Sequence, residues 1–285
     1  MSADDGTRPN RADDRILPVT RWVGIAIVPF LVVAAFLLFA FPESTGELFA
    51  WAISPPLSAF LLASAYVGGI WFFVRAAFAA KWHRIRHGFP AVAVFAGALL
   101  VATLLHLDKF SSNLSFAVWI TLYATTPFVI VGLIIAQRGR DGGRADDVDV
   151  VIPGIARAGL VLIGAAAFAT GAVIFLVPGL AVDNWAWKLT PLTAQVLGAV
   201  LSLTGVVNAG MLRDARWSSF RILFQAQLIS LATIAVSLAV RHDDLIWDRP
   251  VTYAFLVLIG LALAGYASFT VWCELRLRAA VKVAA

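Results

Sequence analysis

Eight unbroken apolar runs divide this chain: residues 22–41, 56–80, 89–107, 114–136, 155–177, 192–212, 222–240 and 251–273. Each is close to or above the roughly 20 residues that a helix needs to cross a hydrocarbon layer of about 30 Å. With no water there to satisfy backbone N–H and C=O groups, only helices and closed barrels are stable, and these runs lack the alternating polarity of barrel strands. They predict an all-α, polytopic membrane protein with eight transmembrane helices. Charged residues make up 14% of the 285, against about 25% in a soluble domain. The single cysteine, Cys273, permits no intramolecular disulfide.

The connections carry an orientation signal. One set, made of the N-terminal segment, residues 81–88, 137–150 and 213–221 and the C-terminal segment, holds 16 of the 22 Lys and Arg; the other set holds 4, and Arg75 and Arg157 lie inside runs. The positive-inside rule then predicts both termini in the cytoplasm of a bacterial inner membrane. The net charge of +5 is accounted for by anionic headgroups, so the lipid bilayer is the expected partner and nucleic acid is not. The first run is longer than a signal-peptide core, lacks a small-x-small cleavage site and follows a polar stretch, so it reads as a retained helix. Residues 1–21, polar and charged, are expected to be a disordered cytoplasmic tail.

The two halves resemble one another. Residues 49–55 match 185–191 at an offset of 136, and residues 56–108 align with 191–243 without gaps at an offset of 135, with eleven identities that include Pro56/Pro191, Trp82/Trp217, Arg86/Arg221 and Asp108/Asp243. The expected organisation is a tail (1–21), a first four-helix repeat (22–137), a linker (138–154), a second four-helix repeat (155–275) and a C-terminal tail (276–285). Four crossings per repeat, an even number, make the repeats parallel, related by an axis along the membrane normal, with an interface able to hold a cavity.

Residues 49–59, Trp82-His83, residues 103–110, residues 122–128 and residues 187–194 resemble a group of bacterial multi-pass membrane proteins with no assigned activity. That resemblance implies the polytopic architecture and carries over no catalytic residue.

Candidate site residues come from polarity in apolar surroundings. Trp51 and Trp187, each four before a proline, are expected at headgroup depth after a short interfacial segment, as anchors or as ligand contacts. Arg75 and Arg157 are expected to snorkel, with an anion or headgroup contact as the alternative. His106 and Asp108, with His242 and Asp243, sit at equivalent outer helix ends; they suit a divalent ion or an acidic group, or are simply a solvated helix end. Amide and hydroxyl groups at Asn208, Gln195, Gln225, Gln227 and Thr103 are expected to bond between helices or to line a polar path. No Asp or Glu lies mid-run, which weakens ion-coupled transport, and no nucleotide loop, nucleophile elbow or His-Glu-x-x-His helix occurs. No cofactor is expected. The function expected is binding or permeation of a small molecule through a cavity between the repeats, opening toward the outer His/Asp ends. The alternatives are a non-transporting scaffold or sensor whose basic loops dock a partner and, more weakly, a metal-dependent membrane enzyme.

Overall fold

A computed structural model describes residues 13–284. Its eight long helices are α1 (Pro18–Ala40), α2 (Pro56–Phe78), α3 (Gly88–Leu105), α4 (Leu114–Ala136), α5 (Gly154–Leu176), α6 (Pro191–Ala209), α7 (Trp217–Val240) and α8 (Pro250–Ala284). All eight are long and apolar enough to cross a membrane, and no strand is present among the described residues. Pro18, Pro56, Pro191 and Pro250 open α1, α2, α6 and α8, where a missing N–H costs nothing. Asn113 caps α4 by accepting from Phe116 N at 2.8 Å, and Thr190 caps α6 by accepting from Thr193 N at 3.2 Å. Pro29 and Pro127 lie inside α1 and α4.

The helices form two rows. In one, α1 packs along α2, α2 along α7 and α7 along α8; in the other, α5 packs along α6, α6 along α3 and α3 along α4. Each row thus takes two helices from each half of the chain, and the main contact between rows is α2 with α6. The outer helices are the least covered: 17% of the apolar window is buried in α1, α5 and α8, against 67% in α2 and 56% in α6. The uncovered faces, carrying Phe36, Leu162 and Leu258 for example, are the surface that lipid would take.

Glycines bring the rows' helices together. A Cβ on Gly171 would lie 2.6 Å from the Gly198 carbonyl, so α5 and α6 touch through backbone; on Gly68 it would meet Ser230 Oγ at 2.0 Å and the Ala226 carbonyl at 2.8 Å, fixing α2 against α7. Gly260, which with Ala264 has the same four-residue spacing of small residues, has nothing within 4 Å.

At one end of the bundle the segment before α1 lies on the α2–α3 loop: Ile16 N donates to Ala80 O and Trp82 N to Asp14 O. The segment before α5 lies on the α6–α7 loop in the same way, with Ile152 N donating to Ala215 O and Trp217 N to Val150 O. At the other end Ser111 N donates to Ala50 O, and Ile246 N to Ala186 O. Corresponding partners are 135 or 136 residues apart.

Three boundaries depart from expectation. Of the expected tail, residues 13–21 are structured, with Ile16 buried and α1 beginning at Pro18; residues 1–12 lie outside the described residues. Within the expected linker, residues 149–153 pack like their counterparts before α1, with Ile152 buried. The expected C-terminal tail from 276 continues α8 to Ala284. At about 1.5 Å per residue a 35-residue helix is roughly 52 Å long, well beyond one hydrocarbon layer, and its last turns carry Arg276, Arg278 and Lys282.

Candidate functional site: a cavity between the rows

A cavity of about 260 Å³ lies between the rows, walled by α2, α3, α6 and α7 and flanked by α1, α4 and Ile259 of α8. Its depth follows from its lining. Gly88 opens α3, Phe72 and Phe73 lie in the last turns of α2, and Leu223 lies in the second turn of α7. The space therefore runs from mid-bundle toward the end that carries both chain ends, away from the outer His/Asp ends where sequence placed it. No charged side chain and no histidine lines it.

Six polar side chains line it: Tyr66, Tyr123, Thr126, Thr204, Gln227 and Ser230. Tyr66 Oη of α2 and Tyr123 Oη of α4 are 3.0 Å apart, and both residues are buried. Gln227 Nε2 of α7 donates to Thr204 Oγ1 of α6 at 2.8 Å. Ser230 of α7 also lines the space, beside Gly68. The rest is aliphatic and aromatic: Leu31, Phe72, Phe95, Leu203 and Ile234 are representative.

None of Trp51, Trp187, Arg75, Arg157, His106, Asp108, His242 and Asp243 lines this cavity. Trp51 is buried, not a headgroup anchor: its ring packs against Phe49, Phe110 and Trp119, with the Trp119 centroid 4.8 Å away. Trp187 is likewise buried and donates from Nε1 to Ser58 Oγ at 2.9 Å. Both turn inward because the strand-like segments carrying them pair with the loops after α3 and α7, Trp51 with Phe110 and Trp187 with Leu245. Trp187, Ser58 and Thr193 border a separate void of about 10 Å³, the size of one water.

The histidines after α3 and α7 fold back on their own helices. His106 Nδ1 lies 3.1 Å from Ala102 O, and His242 Nδ1 lies 3.2 Å from Ala239 O. Asp108 pairs with its neighbour Lys109, whose hydrogen bond holds the carboxyl below its ordinary value. Asp243 is exposed and 3.2 Å from His242 Nε2. Among the described residues no group of three or more His, Cys, Asp or Glu is placed to hold a metal ion. The neighbouring Asp244 has a structural task, accepting from Leu57 N at the start of α2 at 2.9 Å. Arg75 is exposed, its guanidinium 5.8 Å from the Trp71 ring centroid; Arg157 donates to Met211 O at 2.9 Å.

Most of the amides and hydroxyls bond between elements. Asn208 donates to Leu160 O and Tyr266 Oη, Gln195 to Phe175 O, and Thr103 accepts from Trp119 Nε1. Of that set only Gln227 reaches the cavity.

The basic loops are occupied by the chain's own carboxylates. Lys81 and Arg84 both pair with Asp146. Arg86 bridges Asp141 at 2.8 Å and Asp214 at 3.0 Å, and Arg216 bridges the same two at 2.6 and 2.7 Å. Although burial opposes ionisation, the hydrogen bonds of His87 and Arg216 drive the Asp214 carboxyl far below the carboxylate range, and Asp141 and Asp146 are also lowered by their cationic partners. These ion pairs clamp residues 141–149 across the α2–α3 and α6–α7 loops.

One arrangement there mimics a hydrolytic triad: Asp14 contacts His83 Nδ1, and His83 Nε2 lies 3.2 Å from Ser218 Oγ. Ser218 Oγ, however, donates its proton to Asp149, leaving none for His83 to abstract, so the hydroxyl is tied down instead of activated. The Asp149–Ser218 contact repeats Asp14–His83 from the first half, including the backbone bond from residue 218 N to Asp149 and from residue 83 N to Asp14.

Sequence reasoning missed Tyr66 and Tyr123, although two of the chain's 4 tyrosines standing mid-run were a visible signal. Comparison with known proteins returned no matching family model, curated protein or solved structure.

Proposed function

We propose that the chain is a multi-pass protein of the bacterial inner membrane that binds a small, predominantly apolar molecule in the cavity between its rows. The observation that carries this reading is the cavity itself. Protein interiors are packed to crystal density, and an engineered apolar cavity of about 150 Å³ stays dry and takes up benzene. A lining of branched and aromatic side chains with a few polar groups is the usual composition of a ligand pocket. The absence of charge on the walls disfavours ions and ion-coupled carriage, since an unpaired charge there would be strongly desolvated.

The proposal includes two parallel four-helix repeats with both termini cytoplasmic. It is supported by the sequence matches, by the pairs of loop contacts spaced 135 or 136 residues apart, and by the bias of Lys and Arg toward one set of connections. The cavity then lies between the halves, on their shared α2–α7 and α3–α6 interfaces. The scaffold alternative loses its main argument because Arg84 and Arg86, the side chains expected to dock a partner, are engaged internally.

Equilibrium binding of tritiated 2-methylnaphthalene to the purified protein tests the reading. The Gly69→Phe variant supplies the control: Gly69 lines the cavity, and a Cβ there meets only the flexible tip of Leu31, at 3.2 Å. Saturable binding near one per chain, lost in Gly69→Phe, is expected. Non-saturable uptake that the variant leaves unchanged would contradict it.

A further inference from the structure

We propose that the molecule held in the cavity is uncharged and carries a hydrogen-bond acceptor, a quinone- or ketone-type carbonyl, that seats on the paired hydroxyls of Tyr66 and Tyr123. This deepens the binding reading above and rests on it.

The argument is a proton count. Each phenol has one O–H donor and can also accept. Tyr66 Oη and Tyr123 Oη, 3.0 Å apart, share one hydrogen bond, which spends one proton of the two. Neither hydroxyl has another partner among the described residues, so one O–H in the pair is unspent. Both tyrosines are buried, at 3% and 8% exposure, and both line the cavity. A buried donor without an acceptor is costly, and although the hydroxyls of Thr126, Thr204 and Ser230 also line the cavity, none bonds to either phenol. A ligand oxygen would satisfy it.

The rest of the wall sets the ligand's class. No Asp, Glu, Lys, Arg or His lines the cavity, so a charged headgroup would be desolvated without a partner. An ordinary phospholipid headgroup or an amino acid is therefore a poor occupant. The Gln227–Thr204 bond spends one of the two N–H groups of that amide, on the opposite helices α7 and α6. What remains is a largely apolar volume of about 260 Å³ with a surplus donor at the Tyr pair. A neutral ring system or chain bearing a carbonyl satisfies both features.

The pair also behaves as a unit. Either phenol alone still has a proton to give, so a single Phe substitution leaves one donor; only Tyr66→Phe/Tyr123→Phe removes both while keeping ring volume nearly constant. The experiment compares 2-methyl-1,4-naphthoquinone with 2-methylnaphthalene, the same skeleton without carbonyls, on the wild-type chain and the double variant. The quinone is expected to weaken about threefold to tenfold in the double variant, the effect of one hydrogen bond, while the hydrocarbon is unchanged or tighter. If both probes bind the wild type and the double variant alters them alike, the carbonyl assignment is overturned and the apolar binding site stands. If neither probe binds the wild type, both fall.

Discussion

Gly68→Ala tests the packing that gives the cavity its walls. In a helix, alanine is favoured over glycine by about 1 kcal/mol, so the substitution would stabilise wherever space is free. At Gly68 there is none: the new Cβ would lie 2.0 Å from Ser230 Oγ, 2.8 Å from the Ala226 carbonyl and 3.3 Å from Ser230 Cβ. The serine hydroxyl can rotate away, but the carbonyl belongs to the α7 backbone and yields only if the two helices separate. Overpacking of this kind costs about 1–3 kcal/mol. Gly97 is the control, since it is helical and has nothing within 4 Å. The two variants are expected to differ by about 1–3 kcal/mol in equilibrium SDS titrations of the protein in mixed micelles, Gly97→Ala being the more stable. Adding Ser230→Ala to Gly68→Ala removes the 2.0 Å contact but not the carbonyl, so it should recover part of the loss, with a coupling of about 0.5–3 kcal/mol. Equal stability of Gly68→Ala and Gly97→Ala would refute the close α2–α7 approach.

The ionic clamp makes two further predictions. Asp214 is 2% exposed in its side chain and accepts from both Arg86 and Arg216, so Asp214→Asn should lower stability by about 3–5 kcal/mol in the same titration, because it leaves the buried Arg216 guanidinium short of a partner. Lys81→Ala removes a pair whose lysine side chain is 42% exposed and should cost no more than about 1 kcal/mol. The second concerns pH. Burial is the main cause holding His87 below its ordinary 6.5, offset in part by Asp214 and reinforced by Arg86 and Arg216. The unfolded chain therefore takes up a proton that the folded chain refuses, and stability should be full above about pH 6.5 and decline below it. Unfolding measured from pH 7 down to 5 should show this slope, and His87→Gln should flatten it; an unchanged slope would remove His87 as its source.

The helices were legible because each is a long apolar run closed by Pro, Gly or charge, and the runs match the observed elements to within a few residues, except at the start of α1 and α7 and the end of α8. The missed extensions are polar stretches with no hydropathy signal. An Asp-x-x-x-Pro pattern before each half, Asp14 to Pro18 and Asp149 to Pro153, was nonetheless present and marks where the chain docks on a loop. The misread tryptophans have a common cause. Trp51 and Trp187 stand in loops between apolar runs, where composition suggests an interface, but long-range pairing with Phe110 and Leu245 turns them inward. The basic loops were read as facing headgroups because the carboxylates that engage them, Asp141, Asp146 and Asp214, are supplied from other loops. A cavity between the halves was expected, but its depth and lining were not legible: they are set where helices of opposite halves fail to fill space, which no single run encodes.

The most direct test of the account is the position of a heavy atom. Crystals of the protein grown with 2-bromonaphthalene should give one strong anomalous bromine peak between the rows, within contact distance of Tyr66, Gly69 and Leu203. Bromine confined to the outer faces of α1, α5 and α8, with none between the rows, would contradict the claim that this cavity is a binding site.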